Sequence, residues 1–379
     1  MAAALHPESG VASELCFEAA DDGAMDFFHD RAFYAQRLRI PRAKTPIGPK
    51  VNMIACVIRE PGDPSVLELR EVPIPSVPPG HVRVRVHATA VNRADLLQRR
   101  GLYPAPKGDP ADIPGLEYAG VVEALGDNVF ERAVGDRVYG LVGGGAYAQY
   151  VVVPEASAAV LPEGLGFADA AALPEAAITA YDAMIVRAGL SAGETVLVHA
   201  VGSGVGLAAL QIARAAGARV IGTARTQDKL DRAHGLGLDI AVLCRDAKFA
   251  ATVNDATQGR GVSLVLDLVG GPYTAESMLC SASKARIVLV GLLAGAKHEM
   301  DLGVLLRKRL TLAGTVLRSR PLSEKLAAAQ LLAERISPLV AAGSLRPVVH
   351  AVLPLARAAE AHAMCEANET FGKVVLSLD

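Results

Sequence analysis

The chemistry of this chain starts at Arg225, Thr226 and Lys229, which lie just past a strand-like run that itself follows the glycine cluster Gly202, Ser203, Gly204, Val205, Gly206. Glycines remove side chains where a pyrophosphate must approach the backbone. A helix that starts among them turns its unbonded N–H groups and the positive end of its dipole toward the anion. At the end of the second strand of such a unit, an NAD site has an acid to hold the ribose 2′-OH. Here a hydroxyl and two cations stand instead, which suits a 2′-phosphate and predicts NADPH as cofactor. Read without that purpose, Arg225 and Lys229 are an ordinary solvated helix start, but this leaves the missing acid unexplained. The glycine pattern alone is weak, since Val201 and Ser203 occupy the first two glycine positions of a full GxGxxG ending in Gly206. Its setting between a strand and a helix is what raises it.

That setting is a βαβ unit over residues 194–229. A β-branched run (Thr195, Val196, Leu197, Val198) leads into the glycines, a helical pattern covers 207–216, and a second strand ends in Thr223 and Ala224. Beyond it, strands over 240–243, 264–268, 286–290 and 310–315 alternate with helices, which predicts a parallel sheet covered on both faces. Upstream, short strands over 54–58, 66–72, 82–90, 118–125, 137–141 and 147–153 are bounded by Pro and Gly, as in a β-rich, barrel-like domain. A helical pattern over 168–189 crosses Pro174, where a kink or a fresh start is expected. The last part, from residue 324, contains a long Ala/Leu helix. It ends in an apolar strand over 373–378 that could rejoin the first sheet. Residues 1–52 show no sustained periodicity, with acids up to Asp30 and bases from Arg31 to Lys50. They read as a disordered extension, or as the product of an upstream start with Met53 the initiator.

A chain of 379 residues allows roughly two to three domains. With 51% apolar and 21% charged residues its composition is that of a soluble globular protein, and a net charge of −2 offers no footprint for nucleic acid. The uncharged run 195–213 approaches the length of a membrane span, but the glycines at its middle read better as a buried strand followed by a packed helix. The five cysteines lack CxxC spacing, which argues against a disulfide framework and fits a reducing, cytoplasmic compartment.

The segments Asn92-Arg93-Ala94-Asp95-Leu96-Leu97-Gln98-Arg99 and Pro114-Gly115-Leu116-Glu117-Tyr118-Ala119-Gly120, with the glycine cluster, resemble the medium-chain dehydrogenase/reductase superfamily. The similarity is to its quinone oxidoreductase (zeta-crystallin) branch, closest to the tumour-suppressor-inducible NADPH:quinone reductases, and it covers residues 53–379. It implies an α/β protein with a GroES-like β-rich catalytic domain over 53–176 plus 320–379. A Rossmann doubly wound parallel-sheet domain for the cofactor would span 177–319. It also implies a homodimer, and the apolar run 310–316 reads as a strand at the sheet edge. Zinc-dependent members carry Cys near the position of Asn92 and His near that of Leu116. This chain has neither, so the resemblance implies hydride transfer without a metal, to an acceptor that is already electron-poor.

By the same resemblance Tyr103 stands against nicotinamide and substrate, and its phenol could donate to the acceptor carbonyl. Asn92 stands by the nicotinamide. Thr179 and Ser203 border the cofactor, with Gly204, Val205 and Gly206 at the pyrophosphate; Leu292 and Thr370 occupy positions that contact cofactor in relatives. Each has a plain alternative: a loop anchor for Tyr103, a cap or turn for Asn92. Asp95 reads as a structural N-cap rather than a proton donor, His199 as a hydrogen-bonded core residue and Cys56 as packing. Cys244 departs from the pattern, since relatives often have a Tyr there on the 2′-phosphate side; Arg245 is the residue that could compensate. The leading reading is an NADPH:quinone oxidoreductase. Reduction of the C=C bond in enones or enoyl thioesters is a second reading, and a low-activity NADPH-binding sensor or structural protein a third.

Overall fold

Short β-branched runs separated by Pro and Gly turns pair as antiparallel strands in the computed structural model, which describes residues 52–378. The extension expected over residues 1–52 lies outside the described residues, apart from its last member. β1 (Asn52–Ile58) and β2 (Leu67–Pro73) form a two-stranded ribbon. β3 (His81–Ala90) leads into α1 (Arg93–Arg99), followed by β4 (Glu117–Leu125), β5 (Arg137–Leu141), β6 (Tyr150–Pro154) and β7 (Ala159–Val160). One edge of β3 is taken by β4, while the other takes β6 over its first half and the C-terminal strand over its last three residues. Register shifts at Arg83/Val84 and Val86/Ala88 mark where β3 bends to serve both.

α2 (Phe167–Ala171) stops short of Pro174, and α3 (Pro174–Tyr181) begins at it. Of the two outcomes expected at this proline, the fresh start is the one found, because proline's missing N–H costs nothing in a first turn. A π-helical turn over Asp182–Arg187 continues α3.

The cofactor-type lobe runs β8 (Thr195–Val198), α4 (Gly204–Ala215), β9 (Arg219–Ala224), α5 (Gln227–His234), β10 (Ile240–Leu243) and α6 (Ala250–Ala256). It continues with β11 (Val262–Asp267), α7 (Pro272–Cys280), β12 (Ser281–Leu289), α8 (Leu302–Lys308) and β13 (Thr311–Gly314). All pairs are parallel, in the order β10-β9-β8-β11-β12-β13. The order reverses between β8 and β11, and ligands of doubly wound sheets bind at that switch point.

The chain then returns through α9 (Leu322–Leu331), α10 (Ser337–Ala341), β14 (Val349–Pro354), α11 (Ala358–Ala367) and β15 (Lys373–Ser377). β15 pairs antiparallel with β3, closing the seven-stranded sheet. The long helix expected from residue 324 is broken by a π-helical turn over Leu332–Ile336 and by Pro338 in the first turn of α10. One core crosses both lobes, from Ala88 and Ala90 of β3 and Val375 of β15, through Ala176 and Ala180 of α3, to Leu210 of α4 and Val198 of β8. The alanines let α3 and α4 approach closely, and truncating fully buried Leu210 would cost about 2–5 kcal/mol.

Candidate active site

The glycine loop is shaped by what glycine lacks. A Cβ on Gly206 would lie 2.5 Å from the Ala200 carbonyl oxygen, and one on Gly204 2.5 Å from Cδ of Lys373. Ser203 is the N-cap of α4, and its Oγ accepts from the Gly206 N–H at 3.1 Å. The hydroxyl expected near the cofactor is therefore spent on the helix itself. The N–H groups of Gly204 and Val205 have no hydrogen-bond partner among the described residues, and both are partly exposed at the head of a 12-residue helix. That donor pair with its helix dipole fits a pyrophosphate.

The segment ahead of β15 is laced to this loop. Gly372 donates its N–H to the Gly202 carbonyl at 3.0 Å and forms a bridge with Ser203, which brings half-exposed Thr370 beside the glycines. Thr179 is almost wholly buried on α3, and Leu292 is 52% exposed in the loop after β12.

At the end of β9, Arg225 and Thr226 are exposed and Thr226 is the N-cap of α5. Lys229 Nζ donates to the Asn368 carbonyl at 2.5 Å, and Arg93 Nη2 donates to Asn368 Oδ1 at 2.7 Å, so the two lobes meet over one asparagine. Among the described residues no carboxylate pairs with Arg225 or Lys229. Burial, then the neighbouring Arg225, holds the Lys229 ammonium below its usual pKa. Asp228, which pairs with Arg232, is the acid beside this crowd of cations, and such an excess of positive charge fits a phosphate. The concern over Cys244 has a structural answer nearby: its Sγ donates to Tyr273 Oη at 3.4 Å. An aromatic ring thus lies beside position 244, supplied from α7, with its ring 5.1 Å from that of His199. His199 is a core residue, its two ring nitrogens 3.0 Å from Thr223 Oγ1 and 2.8 Å from Ser277 Oγ, and burial lowers its pKa to about 4.

Lys373 stands at the centre of a second polar cluster. It is 6% exposed, and Nζ lies 2.7 Å from Glu117 Oε1, 2.5 Å from Asn92 Oδ1 and 3.0 Å from the Val91 carbonyl. Asn92 Nδ2 completes the ring by donating to Glu117 Oε1 at 2.8 Å. Asn92 is also the N-cap residue of α1, so its plain and its chemical readings coexist. Asp95 is not that cap. It sits one turn inside, where its carboxylate accepts from the Asn92 N–H at 2.8 Å and from the Gly115 N–H at 3.0 Å. Burial still pushes its pKa up to about 6. Glu117 Oε2 accepts the Glu175 N–H at 2.9 Å and so caps α3 from another strand.

Tyr103 is half-buried in the loop after α1. Its carbonyl accepts from Arg318 Nη1 at 3.1 Å, and the guanidinium lies 5.3 Å from its ring centroid. Burial raises the phenol pKa, and Ser319 lies beside it. Arg318 also donates to the Gly143 carbonyl at 2.8 Å and to Gln98 Oε1 at 2.5 Å, tying two loops to α1. These loops border a cavity of about 750 Å³ whose lining includes Leu116, Gly143, Glu175 and Arg318. None of the residues expected to hold the cofactor lines it, so the cavity is distinct from the groove at the glycine loop.

Lys373, Glu117, Glu175 and Arg318 were missed by sequence reasoning. Two gave a faint signal, a cation heading an apolar strand at Lys373 and an acid within an otherwise uncharged segment at Glu117. Arg318 gave none. Among the described residues no group of three or more His, Cys, Asp and Glu could hold a metal ion, and no helix is long and apolar enough to cross a membrane.

Comparison with known proteins matches residues 78–163 to the alcohol dehydrogenase GroES-like domain and residues 204–334 to the zinc-binding dehydrogenase family. A quinone oxidoreductase of Pseudomonas aeruginosa is 35% identical over 323 residues, 83% of this chain and 96% of that one. A phthioceranic/hydroxyphthioceranic acid synthase of Mycobacterium bovis is 34% identical over 62% of this chain, which spans only 11% of the synthase. Among solved structures, a mycobacterial protein complexed with NADPH superposes with a TM-score of 0.78 at 29% identity, over 86% of this chain and all of that one. The CurK enoyl reductase superposes at 0.75 with 26% identity, over 86% and 99%. With its GroES-like lobe, its parallel six-stranded sheet and these relatives, the chain belongs to the medium-chain dehydrogenase/reductase superfamily, whose members use NAD(P)H.

Proposed function

We propose that this oxidoreductase passes hydride from NADPH to quinones or similar electron-poor carbonyls, without zinc. The observation that carries the reading is the Asn92, Lys373 and Glu117 network. An ammonium between carboxamide and carboxylate repels a divalent cation, and Asn92 and Leu116 offer neither thiolate nor imidazole. An acceptor reduced beside such a network must be electrophilic already, as quinones and conjugated enones are.

NADPH, when bound, supplies the hydride. In this reading the Gly204 and Val205 N–H groups, beside Gly206, meet its pyrophosphate, and Arg225, Thr226 and Lys229 meet its 2′-phosphate. Thr179, Ser203, Leu292, Thr370 and Asn92 border the rest. Tyr103 walls the acceptor site and donates to the acceptor carbonyl. The catalytic domain would comprise 53–176 plus 320–379, and the cofactor domain 177–319. The unpaired cations around Asn368 support NADPH over NADH.

Reduction of an enoyl thioester is the second reading, favoured by the similarity to the CurK enoyl reductase. Steady-state turnover of a naphthoquinone and an enoyl-CoA, each with NADPH and NADH in parallel, separates the two. Faster turnover of the enoyl thioester would sink the quinone reading, and NADPH binding without turnover of either would return the protein to a sensing or structural role.

A further inference from the structure

Delivering a hydride to a quinone or enone leaves negative charge on the acceptor oxygen, and a proton must follow. The familiar candidates near the cleft are otherwise occupied. Both oxygens of Asp95 accept backbone N–H groups, so it has no free face toward an acceptor. Lys373 spends its three protons on Glu117, Asn92 and Val91. Glu175 differs. It stands in the first turn of α3 with its backbone N–H held by Glu117, and it is among the residues that line the cavity. No group among the described residues hydrogen-bonds its carboxyl.

The charged groups around it set its proton. Glu117 is fully buried and ion-paired to Lys373, and its charge disfavours the ionisation of its neighbour. Asp95 adds to that repulsion, while Lys373 and Arg318 oppose it from β15 and from the segment before α9. Tyr103 faces Glu175 from the loop after α1. Burial comes first and Glu117 second in lifting the Glu175 pKa to about 8, so the carboxyl is protonated at neutral pH.

We propose that Glu175 is the acid that protonates the reduced acceptor, a role that rests on the hydride-transfer reading above. The acceptor takes up hydride, the electron pair of its C=O or conjugated system moves to oxygen, and the Glu175 O–H bond breaks as the new O–H bond forms. The acceptor thus gains two electrons and two hydrogens, one as hydride from the cofactor and one as a proton from Glu175. Glu175 becomes a carboxylate, for which Arg318 and Lys373 are favourable neighbours, and water in the cavity reprotonates it.

The test pairs E175Q with two readouts. The first needs no turnover: wild-type protein should show a protonated-carboxyl infrared band at pH 7 that is lost on titration near pH 8 and is missing in E175Q. The second is the pH profile of kcat. Wild type should lose activity as the acid ionises above about pH 8. E175Q should bind NADPH with unchanged affinity, run roughly 10²-fold slower at pH 7 and lack the alkaline limb. Should E175Q fail to fold, Glu175→Asp takes its place, and the limb should then move along the pH axis instead of vanishing. Normal turnover without the infrared band, or a variant that keeps the wild-type limb, overturns the assignment of Glu175 alone. Failure of wild type to reduce any quinone or enone overturns the hydride-transfer reading itself and this role with it.

Discussion

Lys373 Nζ lies 2.7 Å from Glu117 Oε1, a buried ion pair that reaches across β3 to join the first residues of β15 and β4. β15 and β4 both run antiparallel to β3, so their starts meet at the same end of the sheet, where β3 hands the chain to Asn92. One contact therefore fixes the C-terminal strand, Asn92 at the head of α1 and the cap of α3 together. Removing one partner leaves a buried charge alone. We predict that Lys373→Met destabilises by about 3–5 kcal/mol and that adding Glu117→Gln restores part of the loss. Denaturant unfolding of both singles and the double mutant measures the coupling, and strict additivity would contradict it.

Lys229 is poised against repulsion from its cationic neighbours, which a bound phosphate would relieve. Lys229→Ala should weaken NADPH binding by roughly 10- to 150-fold, the value of about 1.5–3 kcal/mol for a hydrogen bond to a charged group. NADH binding should hardly change. Fluorescence titration with both cofactors at fixed ionic strength checks this, and equal losses for the two would remove Lys229 from the 2′-phosphate site.

Cys244 is buried, with Tyr273 and Phe249 packed around the same point. Installing the tyrosine that the family resemblance leads one to expect there should over-fill the site. Cys244→Tyr is predicted to cost about 1–3 kcal/mol in thermal or denaturant unfolding. A stabilised variant that also binds NADPH more tightly would mean that Tyr273 does not occupy the space.

The cofactor lobe was largely legible in the sequence because its signals are local. Gly206 is required by atoms five and six residues away, and a charged or hydroxyl side chain at the end of β9 is read directly. The acceptor side was not legible, because its meaning is tertiary. Lys373 is one cation at the head of an apolar strand until folding sets it on Asn92, a contact across 281 positions. Glu175 looks like a routine acid in a helix's first turn until Glu117 takes its N–H. Arg318 acts through three backbone or amide oxygens, two on separate loops and one on α1, and nothing near it in sequence announces them. Asp95 shows the intermediate case: a structural role at the start of α1 was readable, but its place inside the helix rather than at the N-cap and its second bond, to Gly115, were not.

His362 offers a pH test. It is fully buried, accepts from Arg99 at Nδ1 (3.3 Å), and so carries its proton on Nε2, which faces Tyr147 Oη at 3.0 Å. Burial, then Arg99, lowers its pKa to about 3. A histidine with a depressed folded-state pKa contributes full stability above its unfolded pKa of about 6.5, and that contribution is lost as pH falls toward the folded value. The expected slope is about 1.4 kcal/mol per pH unit across that window. His362→Gln should be less stable at neutral pH but flatter below pH 6.5, in unfolding free energies taken at several pH values. Parallel pH curves for the two proteins would contradict the buried neutral imidazole.

Among the described residues β13 is the last strand of its sheet, bonded only to β12, with one backbone edge open. Leu312 on the strand and Val316 just beyond it are exposed, and Leu306 on the preceding α8 is 75% exposed. An open edge flanked by apolar side chains invites strand pairing, and a second copy related by a two-fold axis would present the same edge in return. We predict a homodimer through β13. Sedimentation equilibrium at micromolar concentration should give twice the chain mass, and Leu312→Lys should lower it toward a monomer because both copies would then bring a cation to the shared strand. A monomeric wild type would refute the dimer, and a dimer unaffected by Leu312→Lys would move the interface elsewhere.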